Sequence, residues 1–151
     1  MDFEDLVRRR KMTRSFSDLP VDQSLLRHVL DQARRVPSAG NSQGFDFVVL
    51  QGAETSHYWG VSLPVERRET FKWKSLLKAP VIVTIWADPD AYLERYSEED
   101  KVSTGLGKSR EAWSTEYWLV DGAFSAMALQ YAAINAGLGV LFFGMFDKAP
   151  A

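Results

Sequence analysis

The run YWLVDGAFSAMALQYAAINA, residues 117–136, constrains this chain more than any other stretch. Its pattern is helical and apolar nearly all round, and such a helix cannot sit on a solvated surface. It needs either a large core that covers every face or a second subunit. The chain has 151 residues and is 46% apolar, enough for one domain with a sizeable core. Gly137 can end the helix.

The rest of the chain reads as further helices, strands and loops. Phe3, Leu6 and Val7 recur at i, i+3, i+4 and predict a short opening helix that runs into Arg8-Arg9-Arg10-Lys11. Asp22 can cap a second helix with Leu26, Val29, Leu30 and Ala33 on one face, ending before Pro37. A loop from Pro37 to Gly44 leads into the strand FDFVVLQ. Residues 52–65 read as loop, Arg67 to Lys78 as helix, and VIVTIWAD as a buried strand after Pro80. Residues 89–114 are polar and contain glycines, with weak helical character at DAYLERY, and read as an excursion over the surface. VLFFGMF reads as a last strand. The order α, α, β, α, β, α, β in a single domain sets the class as α+β or α/β.

Composition removes several functions. Net charge is −2, against a dedicated nucleic-acid binder. No apolar run approaches the ~18 residues of a membrane span, and the N-terminus has no apolar signal core, so the expected location is cytoplasmic. The absence of Cys excludes disulfides, thiolate metal sites and Cys catalysis. The two His are far apart with no carboxylate at ligand spacing, so no metal site is expected.

Three motifs remain. Gly40-Asn41-Ser42-Gln43-Gly44 fits G-x-S-x-G, but a nucleophile elbow needs a strand before the Ser and a helix after it, and here the order is reversed. The remaining readings are a plain helix-to-strand loop or a ligand-binding loop, rich in small hydrogen-bonding residues with glycines that permit close backbone approach. GLGVLFFG, residues 137–144, ends a helix and opens a strand, the reverse of a dinucleotide loop, and reads as a helix cap. The basic run Arg8–Arg14 is either a solvated face or a phosphate site.

Taken together, RRRKMTRSFSDLPV, VPSAGNSQGFDFVVL, LLKAPVIVTIWAD and YWLVDGAFSAMALQYAAINAGLGVLFFGMF resemble, in order and over nearly the whole chain, the nitroreductase family of flavin mononucleotide (FMN) enzymes. The first is similar to that family's R-R-x-x-R-x-F…P-V pattern and the second to its A-P-S-x-x-N-x-Q-P-W loop and strand. Gly44-Phe45 stands where Pro-Trp is common, and Met12 where a Ser often lies. The chain stops at FDKAPA, where members usually run on into a further segment. The resemblance implies a three-layer α+β fold, with a central, mostly antiparallel sheet flanked by helices, and a homodimer with FMN at the subunit boundary.

It also implies roles. Arg10, with the backbone near Lys11 and Met12, would hold the FMN phosphate. Arg14 and Lys74 would lie near the pyrimidine edge of the ring, where positive charge favours the reduced flavin. Pro37, Ser38 and Ala39 would pack on the ring from the partner subunit, and Asn41 and Gln43 would bond its polar edges or fix the loop. Backbone N–H groups of Gly144 and Met145 would face the hydride-accepting nitrogen. Trp113, Tyr117 and Trp118 would shape the acceptor pocket or simply pack between the excursion and the long helix. The activity implied is hydride transfer from NAD(P)H, or a deazaflavin donor, to a nitroaromatic, quinone or similar acceptor in a ping-pong scheme. A flavin binder without turnover, a reductive dehalogenase or flavin-fragmenting enzyme, and a serine hydrolase using Ser42 are the alternatives.

Overall fold

The structure, a computed structural model, describes residues 1–144. Among the described residues six helices and two strands form: α1 (Phe3–Arg9), α2 (Gln23–Ala33), β1 (Phe45–Gln51), α3 (Ala53–Ser62), α4 (Val65–Arg68), β2 (Val81–Ala87), α5 (Pro89–Tyr96) and α6 (Tyr117–Asn135). Short 3-10 turns lie at Ala39–Asn41 and Lys74–Lys78, and three more follow α5. The class is α+β, as expected. β1 and β2 pair in a two-stranded sheet. The Asp88 N–H, just past β2, donates to the Gly44 carbonyl just before β1, so the strands run antiparallel.

Local chemistry explains most element ends. Asp2 caps α1 by accepting from the Asp5 N–H at 2.8 Å, and Asp22 accepts from the Leu25 N–H at 3.0 Å at the start of α2. Hydrogen bonds from the Ser24 hydroxyl first, and then from the Leu25 N–H, hold the Asp22 carboxyl below its usual range. Asp88 caps α5, with Pro89 in the first turn, where a missing N–H does no harm. Gly137 has φ +82° and closes α6: its N–H donates to the Ile134 carbonyl, and the Leu138 N–H to that of Ala133.

The described chain divides into two compact units. The first holds Met1–His28, Val49–Val83 and residues 133–144, and the second holds Val29–Val48 and Thr84–Ala132. Trp59, Leu63, Leu76 and Ile82 form the core of the first, with Phe143 stacked on Trp59 at 5.4 Å. Withdrawing Leu63, Leu76 and Ile82 from water contributes about 1.5–3 kcal/mol each. The core of the second is aromatic: Tyr92, Trp113 and Trp118, with ring centroids about 6 Å apart and steeply tilted.

Three expectations need correction. Residues 52–65 are not loop: Ala53–Ser62 is helical, entered through Gly52 at φ +56° and held by burial of Thr55, Trp59 and Ser62. The helix expected over Arg67 to Lys78 is broken into α4, which ends at Arg68, and a separate turn from Lys74. Arg68, the last residue of α4, turns back, its guanidinium donating to the carbonyls of Leu63 and Trp59. No strand forms over 140–144. That segment is extended, and its Val140 carbonyl accepts from the Thr13 N–H at 2.9 Å rather than from a sheet neighbour. The remainder of VLFFGMF lies outside the described residues. α6 forms as expected, but in this single chain Leu119 and Phe124 are about half exposed.

Candidate functional site

The basic N-terminal segment is built from the end of α1 and the extended chain after it. Arg8 reaches back to Glu4 and Asp5 on the exposed face of α1. Arg10, the C-cap of α1, and Lys11 take part in none of the ion pairs among the described residues. Arg9 takes part in none of them either, so three consecutive cations stand without an ion-pair partner among the described residues. The segment is held in place from behind. A Cβ on Gly139 would come within 2.9 Å of the Thr13 side chain, so only glycine allows this approach. A cleft of about 370 Å³ opens beside it, between Arg9, Lys11 and Thr13 on one side and Asn135, Gly137 and Gly139 on the other.

Arg14 joins the same unit's Trp73–Ser75 segment. Its guanidinium lies 5.5 Å from the Trp73 ring centroid, and its carbonyl accepts from the Ser75 hydroxyl at 3.3 Å. Lys74 is exposed at the start of that turn, so Arg14 and the Lys74 segment are brought together. Met12 is half-buried, and its carbonyl accepts from Arg14 at 3.4 Å. Gly144 is exposed with open space where a Cβ would stand. Met145 lies outside the described residues.

In the second unit, the loop from Pro37 to Gly44 has an unusual backbone. Gly40, Asn41 and Gln43 have φ of +62°, +58° and +51°. Glycine accepts this region freely and asparagine tolerates it, whereas glutamine has no such excuse. Sparsely populated backbone of this kind costs on the order of 1–3 kcal/mol per residue and persists only where the surroundings enforce it. Within the loop, the Gln43 N–H donates to Ser38 Oγ at 2.8 Å and the Ser42 hydroxyl to the Ala39 carbonyl at 2.7 Å. Gln43 Nε2 lies 3.4 Å from Asn41 Oδ1. Pro37, Asn41 and Gln43 are exposed, while Ser38 and Ala39 are half-buried.

The restraints from outside the loop come from residues the sequence reading did not single out. Asp121 of α6 is 2% exposed, and its Oδ2 accepts from the Ala39 N–H at 2.9 Å and from the Tyr92 hydroxyl at 2.6 Å. Burial first, and then the hydrogen bond to Asp121, raises the Tyr92 phenol well above its ordinary value, so it stays a donor. Arg95 of α5 donates from Nε to the Gly40 carbonyl at 2.9 Å. Its Nη1 and Nη2 fork onto Asp100 at 2.7 and 2.8 Å. That hydrogen bond, first among the causes, holds the Asp100 carboxyl below its usual range. The one signal in the sequence was Asp121 itself, a lone acid in an apolar helix that must find partners.

The Ser42 elbow geometry is absent: α2 precedes the loop and β1 follows it, and the hydroxyl hydrogen is committed to Ala39. Of the aromatic candidates, Trp113 and Trp118 are buried in the core of their unit, with Trp113 Nε1 donating to the Leu106 carbonyl. Tyr117 remains exposed beside Trp113. Among the described residues there is no group of His, Cys, Asp and Glu fit to hold a metal ion, and no helix long and apolar enough to cross a membrane.

The α+β class and the antiparallel pairing of β1 and β2 are what the sequence resemblance implies. The model of the Nitroreductase family matches residues 7–150, and the chain belongs to that family. It is similar to an NADH dehydrogenase of Thermus thermophilus, with 29% identity over 84% of this chain and 57% of the relative. It is likewise similar to YodC of Bacillus subtilis, named as an NAD(P)H nitroreductase, with 26% identity over 95% of this chain and 76% of that one. The chain thus spans little more than half the length of the Thermus relative. In fold it resembles an Exiguobacterium sibiricum protein described as a nitroreductase and solved in complex with FMN. There the TM-score is 0.71 at 14% identity, over 98% of this chain and 77% of that one.

Proposed function

We propose that the chain binds FMN and works as an oxidoreductase that passes electrons from NAD(P)H to a nitroaromatic, quinone or similar small acceptor. The observation that carries this is the pair Arg10 and Lys11, adjacent, cationic and without an ion-pair partner among the described residues, while their neighbour Arg8 is engaged by Glu4 and Asp5. Family membership and the names of the relatives point the same way.

The donor set suits a flavin mononucleotide. Arg10 and Lys11 would bind its phosphate by charge-assisted hydrogen bonds. Arg14, steadied by the Trp73 ring, and exposed Lys74 would keep positive charge at one edge of the ring. From a second copy of the chain, Pro37, Ser38 and Ala39 would offer a small surface to the ring, and the exposed side chains of Asn41 and Gln43 would offer donors and acceptors. When bound, the flavin supplies the hydride-accepting and electron-donating chemistry. Tyr117, supported by Trp113, would form a wall of the acceptor pocket. FMN titration followed by flavin fluorescence tests the reading. Arg10→Ala should weaken binding about 10- to 150-fold, the equivalent of roughly 1.5–3 kcal/mol for a charged hydrogen bond. Arg10→Lys should recover only part of that, and Arg8→Ala should change little. Equal, negligible losses at positions 8 and 10 would remove the phosphate site.

The working unit in this reading is a homodimer. Leu119 and Phe124 expose apolar surface on the same helix, which favours a partner over water. Sedimentation should find a dimer for the native chain and a folded monomer for Phe124→Glu. A native monomer that binds FMN tightly would contradict the dimer.

A further inference from the structure

We propose that Arg95, braced by Asp100, is a positioning residue that holds the Ser38–Gln43 loop in its flavin-ready conformation before any flavin arrives. This rests on the FMN reading above.

The loop's own conformational preferences run against its observed shape. Gly40, Asn41 and Gln43 all sit at positive φ, and a six-residue segment of this sequence would populate many other conformations in water. Bonds inside the loop, such as Ser42 to Ala39 and Gln43 to Ser38, are local and would survive in several of those alternatives. The bond from Arg95 Nε to the Gly40 carbonyl is different. It joins residues 55 apart and grips the peptide at the centre of the left-handed stretch. The guanidinium plane is oriented from its other edge: Asp100 takes both Nη nitrogens, and Glu98 accepts a further bond at 3.0 Å. A planar, five-donor fork can serve carboxylate and carbonyl at once, which an ammonium group cannot do in the same geometry. The Arg95 side chain is only 23% exposed, whereas the Asp100 side chain is 61% exposed, so Asp100 can be removed without opening the core. Nothing in the FMN reading requires Arg95 to touch the flavin. Its effect is on the fraction of molecules whose loop is already competent, and apparent affinity scales with that fraction.

Three variants test this: Asp100→Ala, Arg95→Lys and Arg95→Gln. The first readout needs no flavin. In apo-protein, hydrogen–deuterium exchange of the amides of residues 39–43 should accelerate at least tenfold in all three, while exchange in the α3 helix stays unchanged. The second is FMN titration, in which the dissociation constant should rise in step with the loss of protection. Arg95→Lys should not rescue either readout. Native-like exchange at 39–43 in Asp100→Ala and Arg95→Lys would overturn the proposal, as would faster exchange with an unchanged FMN dissociation constant. Faster exchange in variants of a native chain that does not itself quench added FMN would overturn the cofactor reading, and with it the loop's purpose, while leaving the restraint intact. The two failures are therefore distinguishable.

Discussion

Gly40→Val is expected to abolish FMN uptake and to lower the stability of the apo-protein by about 2–5 kcal/mol. Two effects add. At φ +62° an L side chain meets its own backbone, at a cost of about 1–2 kcal/mol that is larger still for a β-branched residue. The new Cβ would also stand 2.6 Å from Tyr96 Cε2. That ring cannot simply swing away, because it packs edge-on against Trp113 at 4.6 Å and carries Lys101 over its face. Relief must come from the loop, and a displaced loop loses the Arg95 bond to the Gly40 carbonyl. Urea unfolding and FMN titration measure the two consequences. Gly60→Ala is the control: the residue is inside α3, where its Cβ would meet nothing closer than Arg68 Nη2 at 4.0 Å. There alanine should gain about 0.5–1 kcal/mol. A Gly40→Val protein with native stability and native FMN affinity would show that the loop does not need its left-handed turn.

Asp121→Ala should destabilise by a similar amount for another reason. It strips the acceptor from two donors at once, the Ala39 N–H and the Tyr92 O–H, and Tyr92 is fully buried. A buried donor left without a partner costs about 1–3 kcal/mol, so the pair amounts to about 2–6 kcal/mol. Asp121→Asn keeps an oxygen in place and should lose much less. The separation between cavity and orphaned donor comes from a double-mutant cycle: adding Tyr92→Phe to Asp121→Ala removes one orphan, and so should restore part of the stability. Strict additivity of the two single changes in urea unfolding would mean that the Tyr92–Asp121 hydrogen bond contributes nothing.

What could be read from the sequence follows from where the information is stored. α1, α2 and α6 carry their signals locally, as apolar spacing, a capping Asp at 22 and a terminating Gly at 137, and the structure has them where they were expected. β1 and β2 are apolar runs bounded by glycine and proline, equally local. α3 has no such mark. Its start is Gly52 without a side-chain cap, and its apolar residues follow no clear helical stripe, so it is helical because Trp59 and Thr55 are drawn into a core. The strand expected from VLFFGMF failed over 140–144 because strand propensity needs a neighbour with free backbone groups, and Val140 instead accepts from Thr13. The candidate site divides in the same way. Small residues and glycines marked the 37–44 loop, and clustered charge marked 8–14. Arg95 looked like one more surface charge in DAYLERYSEED, because nothing in that stretch announces a carbonyl 55 residues upstream.

The bond between Ala39 and Asp121 spans 82 residues of chain. Proteins are made from the amino end, so when Ala39 leaves the ribosome the carboxylate that will hold it has not been synthesised, and neither has Arg95. Until α6 emerges, residues 38–43 are an ordinary solvated segment with only their own short-range hydrogen bonds. The loop is encoded well before its restraints and acquires its shape late, after long loop closures whose entropy must be met before the contacts form. Under the proposed reading, a flavin would therefore meet this half of its site only after Asp121 has emerged.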